Sequence, residues 1–289
     1  METAEFDLQC HSVHSDGALS PGGVVAAAAR AGVKLLALSD HDTAAGVPEA
    51  VQAAAAAQIS LVPAVEITTI YAGRQDLHIL GYLIDERDPT LEQTLERSRT
   101  ARERRAALMA DALRELGFEL DEAALAERTA RGSSIGRPHL AQAVVSQPAN
   151  RRRLGDEGLL DPTAFLVAYL IEGRPAFRPR AAPTVEEAID LIHGAGGLAV
   201  WAHPFWDIKA PEEVLEAIDR FRRAGLDGIE AFYVTHSREQ TELLVDRCVQ
   251  RGMLSTGSSD FHGPQHHTFS KFRAFDTYGL APVLGPLAD

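Results

Sequence analysis

Short, almost wholly apolar runs recur along this chain, separated by segments whose apolar residues fall at helical spacing. Residues 33–38 (apolar except for Lys34), 61–65, 77–83, 198–202, 228–234 and 254–259 read as strands. Runs without alternation belong to strands covered on both faces. Residues 21–31, 48–58, 183–195, 211–224 and 237–251 read as the intervening helices, with Ser20 and Thr184 as N-caps and Gly32 as a stop. With the opening strand around Phe6 and Leu8 this makes about seven strands. The rhythm predicts an α/β fold, either a parallel sheet covered on both faces or a barrel.

The rhythm breaks once. Residues 90–117 form one long helical pattern rich in Arg and Glu, followed by further helical segments to about residue 173. We read residues 89–175 as a helical insertion or cap, and residues 1–88 and 176–289 as the barrel that it interrupts. Arg97, Arg99, Arg102, Arg104, Arg105, Arg128, Arg131, Arg137 and residues 151–153 lie in the insertion. Taken singly, most of these arginines read as a solvated helix face paired with nearby Glu.

Composition excludes several function classes. No apolar run approaches the roughly 20 residues of a membrane span, and the opening METAEFDLQC does not read as a signal peptide. Two cysteines, Cys10 and Cys248, make no disulfide framework, so a cytoplasmic location is expected. A net charge of −13 argues against binding long DNA, while a short anionic substrate held by local cations stays open.

The chemistry gathers at strand ends. The stretch Asp7-Leu8-Gln9-Cys10-His11-Ser12-Val13-His14-Ser15-Asp16-Gly17 carries imidazoles and carboxylates into a turn. Ser39-Asp40-His41-Asp42, Glu66, His203-Pro204 and Asp260-Phe261-His262 follow later strands, while His78 lies near the start of its own. In a (β/α) barrel such ends converge on one face, so residues distant in the chain share a site. Pooled, they give His11, Asp16, Asp40, His41, Glu66, His78, His203, Asp260 and His262. Nitrogen and carboxylate donors without thiolates favour Zn, Mn or Fe, and several carboxylates allow bridging between ions.

The strings DLxxHSxxSDG, LALSDHD, PAVEIT, LHILGY, WAHP and GSSDFHG resemble the successive motifs of the PHP (polymerase and histidinol phosphatase) family. The resemblance runs from residue 7 to about 263 and is interrupted by the insertion. It implies a distorted (β/α)7 TIM-like barrel holding two or three divalent ions, Mn2+, Zn2+ or Fe2+. On the resemblance His11 and Asp260 hold a first ion, and Glu66 bridges to a second held by His78 and His203. Asp16, His41 and His262 hold a third; Asp40 is a ligand or supports a histidine from behind. The family opens with His-x-His, and here Gln9 stands in the first place. An amide oxygen is a weaker donor than imidazole, so Gln9 is expected to lower the affinity of the first site. His14 has the wrong offset from His11 for the usual geometry and reads as a surface or substrate contact.

The position of the insertion is similar to that in family members that hydrolyse nucleoside 3',5'-bisphosphates or trim short RNA from its 5' end. This implies a metal-dependent phosphoesterase acting through activated water, with His11, Asp16, His41, Glu66, His203, Asp260 and His262 as its catalytic set. The run from Ser133 to Leu140 resembles the phosphate-binding part of such a cap. It implies Arg137, His139 and Ser134 as contacts to the non-reacting phosphate, with Gly136 and Pro138 placing Arg137 in a turn; a guanidinium fork suits phosphate oxygens. Arg178 is a candidate for the scissile phosphate, and His236 and Tyr233 for base or ribose. Cys10 alternates away from His11 and reads as packing. Three alternatives stay open: a histidinol-phosphate phosphatase, an amidohydrolase-like enzyme, and a binding module whose metal site is degenerate at Gln9.

Overall fold

Seven strands follow one another in a single sheet, each hydrogen-bonded to the next in chain order, in a computed structural model that describes residues 4–130 and 134–288. They are β1 (Phe6–Asp7), β2 (Leu35–Leu38), β3 (Ser60–Tyr71), β4 (Arg74–Tyr82), β5 (Leu198–Trp201), β6 (Gly228–Tyr233) and β7 (Leu254–Ser258). Helices α1 (Pro21–Arg30) and α2 (Val47–Ala57) follow β1 and β2, and α3 (Pro89–Glu115) follows β4. Then come α4 (Glu122–Ala130), α5 (Arg137–Val145), α6 (Arg151–Glu157) and α7 (Pro162–Tyr169). The chain returns to the sheet through α8 (Val185–Gly194), α9 (Pro204–Asp207), α10 (Pro211–Arg223) and α11 (Arg238–Arg251). The caps explain where these helices begin. Ser20 accepts from the Gly23 N–H, and Thr184 with Glu187 and Ser237 with Gln240 form capping boxes.

Period-two alternation sorts side chains to the two faces of the sheet. Leu8, Ala37, Ala64, Leu80, Tyr82, Val200 and Ala202, one or two from in or beside each of the first five strands, pack together and fill the barrel interior. Their neighbours Leu36 and Leu38 pack outward with α1 and α2, and Ile79, Ala199 and Trp201 pack outward with α8 and α10. The expected distorted (β/α)7 TIM-like barrel is therefore the fold found. A uniformly parallel sheet is not: β4 runs antiparallel to β5, with Ile79 opposite Trp201 and Tyr82 opposite Leu198. A two-residue turn at Ala72 and Gly73, both with positive φ, sends β4 back along β3. The reversal accounts for His78, which lies in the middle of β4 yet beside the end of β5, where its carbonyl accepts from the Ala202 N–H. β3 is also longer than expected, because Glu66, Thr68 and Thr69 continue it as buried polar residues.

The barrel closes between its first and last strands. Leu8 N–H donates to the Gly257 carbonyl at 3.2 Å and His11 N–H to the Phe261 carbonyl at 2.9 Å. Asp7 is the latch. Its fully buried carboxylate accepts from Ser259 N–H at 2.9 Å, Ser259 Oγ at 2.6 Å and Arg273 N–H at 2.8 Å. Burial pushes its pKa up to about 7 against these hydrogen bonds.

The chain divides into two compact units, one comprising Met1–Ala72, Asp76–Glu96 and Pro183–Asp289, the other Gly73–Gln75 and Arg97–Ala182. The second unit has its own core of Met109, Leu113, Phe118, Leu140, Val144, Leu154 and Phe165. Several of its arginines pair along the helix surface as expected, Arg99 with Glu103 at 2.9 Å and Arg153 with Glu157 at 2.8 Å. Arg105 differs: it is buried, with its guanidinium 5.1 Å from the centre of the Phe177 ring. Among the described residues no helix is long and apolar enough to cross a membrane.

Asp7→Ala strands three donors at the barrel seam. It is expected to cost about 3 kcal/mol, read as a lower denaturant midpoint in equilibrium unfolding.

Candidate metal centre

Each strand end delivers its side chains to one place. The loop after β1 brings Gln9, His11 and Asp16. Its turn needs Gly17, where a Cβ would run into the carbonyl of His11. The end of β2 brings His41, the middle of β3 Glu66, the middle of β4 His78, the end of β5 His203, and the end of β7 Asp260 and His262. His203 and Asp260 sit in the left-handed region, at φ 32° and 51°. For non-glycine residues this backbone is strained and persists only where the surroundings hold it.

Glu66 is the hub, fully buried. Its Oε1 lies 2.7 Å from His78 Nδ1 and 3.2 Å from His203 Nε2. Its Oε2 lies 2.9 Å from Gln9 Nε2, 3.2 Å from His11 Nε2 and 3.4 Å from His41 Nδ1. Asp260 Oδ1 is 3.0 Å from His11 Nε2, and Asp16 is 3.4 Å from His262 Nε2 and 3.6 Å from His41 Nε2. Three groups have donor atoms mutually within 4.8 Å: His11, Asp16, His41 and His262; His41, Glu66 and His78; His11, Glu66 and Asp260. The groups differ from the expected sets: His11 also stands with Asp16, His41 and His262, and His203 belongs to none of the three. His41 joins Glu66 and His78 in the second group, while His203 adjoins it through Glu66 and stands 3.5 Å from His78 Nδ1.

The donor chemistry fits divalent cations. His41 Nδ1 is buried and faces Glu66 Oε2 at 3.4 Å without a hydrogen-bond partner, an arrangement that a cation between the two atoms would satisfy. Burial works against a charged His11 and His203, yet the carboxylates win. Asp260 and Glu66 raise His11 well above its ordinary value, and Glu66 and Glu230 carry His203 up to about 9. Burial pushes His41 down to about 3, so its imidazole is neutral and offers one lone pair. The pocket is anionic and lined with imidazoles, as hard and borderline metals require.

Other groups hold these in place. Both oxygens of Asp40 are occupied, accepting from Ser12 N–H at 2.7 Å and from the hydroxyls of Ser12 and Ser15 at 2.6 Å. Asp40 thus fixes the loop whose Ser15 Oγ lies 3.4 Å from His11 Nδ1, and it belongs to none of the three groups. His14 belongs to none either. The Cys10 thiol is buried and donates to the Ala37 carbonyl, as expected for packing. Tyr233 is only 3% exposed, and its hydroxyl donates to Asp260 Oδ2 at 2.7 Å. His236 is 5% exposed, with Nδ1 on the Ala231 carbonyl and Nε2 buried without a partner.

Sequence reasoning missed Glu230, a fully buried carboxylate on β6 that accepts from His203 N–H at 2.9 Å and Ser258 Oγ at 2.5 Å. A lone acid inside the apolar run Gly228–Tyr233 was the signal for it. The remaining candidates lie in the helical unit. Arg137 is the first residue of α5 and not in a turn, because Gly136 supplies the extended cap and Pro138 fits the first helical turn. His139 Nδ1 accepts from Gly136 N–H at 2.9 Å. Ser134 is buried and its carbonyl accepts from Arg128; Arg178 donates to the Pro175 and Phe177 carbonyls. Ser133 and Arg131 lie outside the described residues.

A model of the PHP domain matches residues 7–125. A 5'-3' exoribonuclease of Haemophilus influenzae is 34% identical over 264 residues, covering 91% of this chain and 91% of its own length. A 3',5'-nucleoside bisphosphate phosphatase of Chromobacterium violaceum is 33% identical over 264 residues, covering 90% of this chain and 88% of its own. A solved structure described as an amidohydrolase from Chromobacterium violaceum, with bound sulfate and no metal, superposes with a TM-score of 0.81 at 32% identity. It covers 93% of this chain and 91% of its own.

The charge of the pocket sets a pH dependence. His203 is raised from 6.5 to about 9 and Glu230 from 4.5 to about 8. Between pH 7 and 9 the folded chain therefore keeps protons that the unfolded chain has released, and stability falls as pH rises. His41 and His236, lowered to about 3 and 4, are neutral in the folded state and oppose the slope only near pH 7, where their unfolded imidazoles still hold some protons. Melts of metal-stripped protein should show Tm decreasing from pH 7 to 9. Saturating divalent ion should flatten that decrease, because ligand nitrogens then hold no proton.

Proposed function

We propose that this chain, which belongs to the PHP domain family of metal-dependent phosphoesterases, hydrolyses a phosphate ester of a small nucleotide. The substrate is a nucleoside 3',5'-bisphosphate, cleaved to a nucleoside monophosphate and phosphate, or the 5' end of a short RNA. One observation carries the reading. Three donor groups share His11, His41 and Glu66 at the strand ends of a barrel, and the chain matches relatives named for these two activities along about nine-tenths of its length.

His11, Asp260 and Glu66 would hold one cation, Glu66, His78 and His203 a second, and Asp16, His41 and His262 a third, each imidazole giving its one lone pair to one ion. Bound there, such ions supply Lewis acidity toward phosphoryl oxygens and lower the pKa of water. The protein's own residues supply position. Glu66 orients four imidazoles, Tyr233 holds Asp260, and Asp40 holds the loop of His11. No side chain attacks: the only cysteine near the groups is buried and engaged. An amidohydrolase-like reading is weaker, because the bridging place between two of the groups is taken by Glu66.

The rim of the site favours a nucleotide over an aliphatic phosphate. Trp206 is 47% exposed on α9, its ring 6.5 Å from that of His203 and 5.8 Å from that of Phe269. Its backbone is tied down, the N–H to the His203 carbonyl and the C=O to Lys209 Nζ. A rigid, half-exposed indole beside phosphate-binding chemistry is a stacking platform for a base. On the sequence pattern, Arg137, His139, Ser134 and Arg178 are assigned to substrate phosphates.

With Mn2+ added, phosphate release from adenosine 3',5'-bisphosphate or nucleotide release from a short 5'-phosphorylated RNA is expected, and Glu66→Gln should lower kcat at least a hundredfold. Turnover of histidinol phosphate alone would overturn the nucleotide reading. Trp206→Ala should raise KM for the bisphosphate about tenfold with little change in kcat. Arg137→Ala should raise KM for the bisphosphate about tenfold and leave that for a monophosphate unchanged.

A further inference from the structure

Gln9 stands where its oxygen or its nitrogen can face the first group, and its neighbours decide which. Its side chain is fully buried between Glu66 on one side and Ser258 on the other. Nε2 donates to Glu66 Oε2 at 2.9 Å, while Oε1 is 3.4 Å from Ser258 Oγ. Ser258 has one proton. Its Oγ stands 2.5 Å from Glu230 Oε1, and the other oxygen of Glu230 is already held by His203 N–H at 2.9 Å. With Glu230 ionised, the short contact takes the proton, because a carboxylate is the stronger acceptor. Ser258 then turns a lone pair toward Gln9 Oε1, and two acceptors face one another inside the protein.

A half-turn of the amide removes this conflict. Nε2 then donates to Ser258 Oγ, which donates to Glu230, and the chain of hydrogen bonds is complete. The same rotation aims Oε1 at Glu66 Oε2, beside His11 Nε2 and Asp260 Oδ1. Those atoms are mutually within 4.8 Å and already form one of the three donor groups. Four lone-pair donors around one point are stable only with a cation among them.

We propose that Ser258 and Glu230 are positioning residues that present the Gln9 carbonyl oxygen to a divalent cation in the His11, Glu66 and Asp260 group. The amide turns over as that group loads. This rests on the phosphoesterase reading only for the presence of the cation. Gln9 is thereby a working ligand. In the cation-free state the amide donates to Glu66; in the loaded state it donates to Ser258, and neither polar atom is left facing a like partner.

The test is Mn2+ binding by the full chain, measured by titration calorimetry without any substrate. Ser258→Ala, and separately Glu230→Gln, should weaken one ion about tenfold, the scale seen when an outer partner of a ligand is removed. In a Gln9→Ala background the same changes should have no further effect, because no amide remains to orient. Equal losses in both backgrounds would mean a structural role and overturn the proposal, as would unchanged affinity in Ser258→Ala or no ion in this group of the wild type. The conservative Ser258→Ala carries the test if Glu230→Gln fails to fold. As a direct readout, titrating Zn2+ into protein labelled with 15N should move the Gln9 side-chain amide resonance in the wild type. An unmoved resonance at saturation would also overturn the proposal. Intact coupling in a protein that releases nothing from nucleotides would remove the nucleotide reading and leave this one standing.

Discussion

The site is built around one buried carboxylate. Glu66 lies on the longest strand of the barrel with no solvent access, and a charge so placed is costly unless paired and hydrogen-bonded on every side. Its partners come from four other strand ends: Gln9 and His11, His41, His78 and His203. No local segment could supply them. The charge is tolerated only if the strands are brought round into a barrel, so the fold and the metal chemistry stand or fall together.

That dependence explains why so much polar structure lies behind the ligands. Asp7 ties the first strand to the segment immediately before Asp260, Asp42 binds Thr68 two residues from Glu66, and Asp40 gathers Ser12 and Ser15. Each is a buried acid accepting from backbone and hydroxyl donors, the arrangement that fixes a loop without a second cation. These bonds oppose the strain at His203 and Asp260, whose left-handed backbones aim their side chains inward. A barrel of this size could be filled with apolar side chains alone, and it would be more stable and inert. The interior is apolar from Leu8 to Ala202 and turns polar around Glu66, His78 and Glu230 and at the strand ends beside them.

Much of this was legible in the residues. Strands covered on both faces lose their alternation and read as apolar runs, and Ser20, Thr184 and Ser237 mark helix starts because each is the side chain that satisfies a free backbone N–H. Histidines and carboxylates next to such runs stand out because burial there needs a reason. Strand direction did not show. An apolar run looks the same in either sense, and the turn at Ala72 and Gly73 lies in a polar tract that gives no helix to count. The same blindness made His78 look misplaced. Glu230 and Ser258 escaped notice for another reason: a single acid or hydroxyl inside a strand has no spacing partner, and its meaning appears only when β6 and β7 lie side by side.

Gln9 looked like a defect on the sequence and reads differently beside Ser258 and Glu230. An imidazole in that position changes from donor to ligand by losing a proton, so its affinity for a cation is tied to pH. An amide makes the same exchange by rotation and releases no proton. The pocket already holds protons on His11 and His203 up to high pH, because Glu66 and Asp260 demand positive charge. A further imidazole would bring a further protonation equilibrium to compete with the cation. A neutral amide, oriented by one hydroxyl and one buried carboxylate, lowers the strength of that ligand and also lowers the number of protons that loading must expel. The weaker donor is therefore the one whose binding depends least on the acidity of its surroundings.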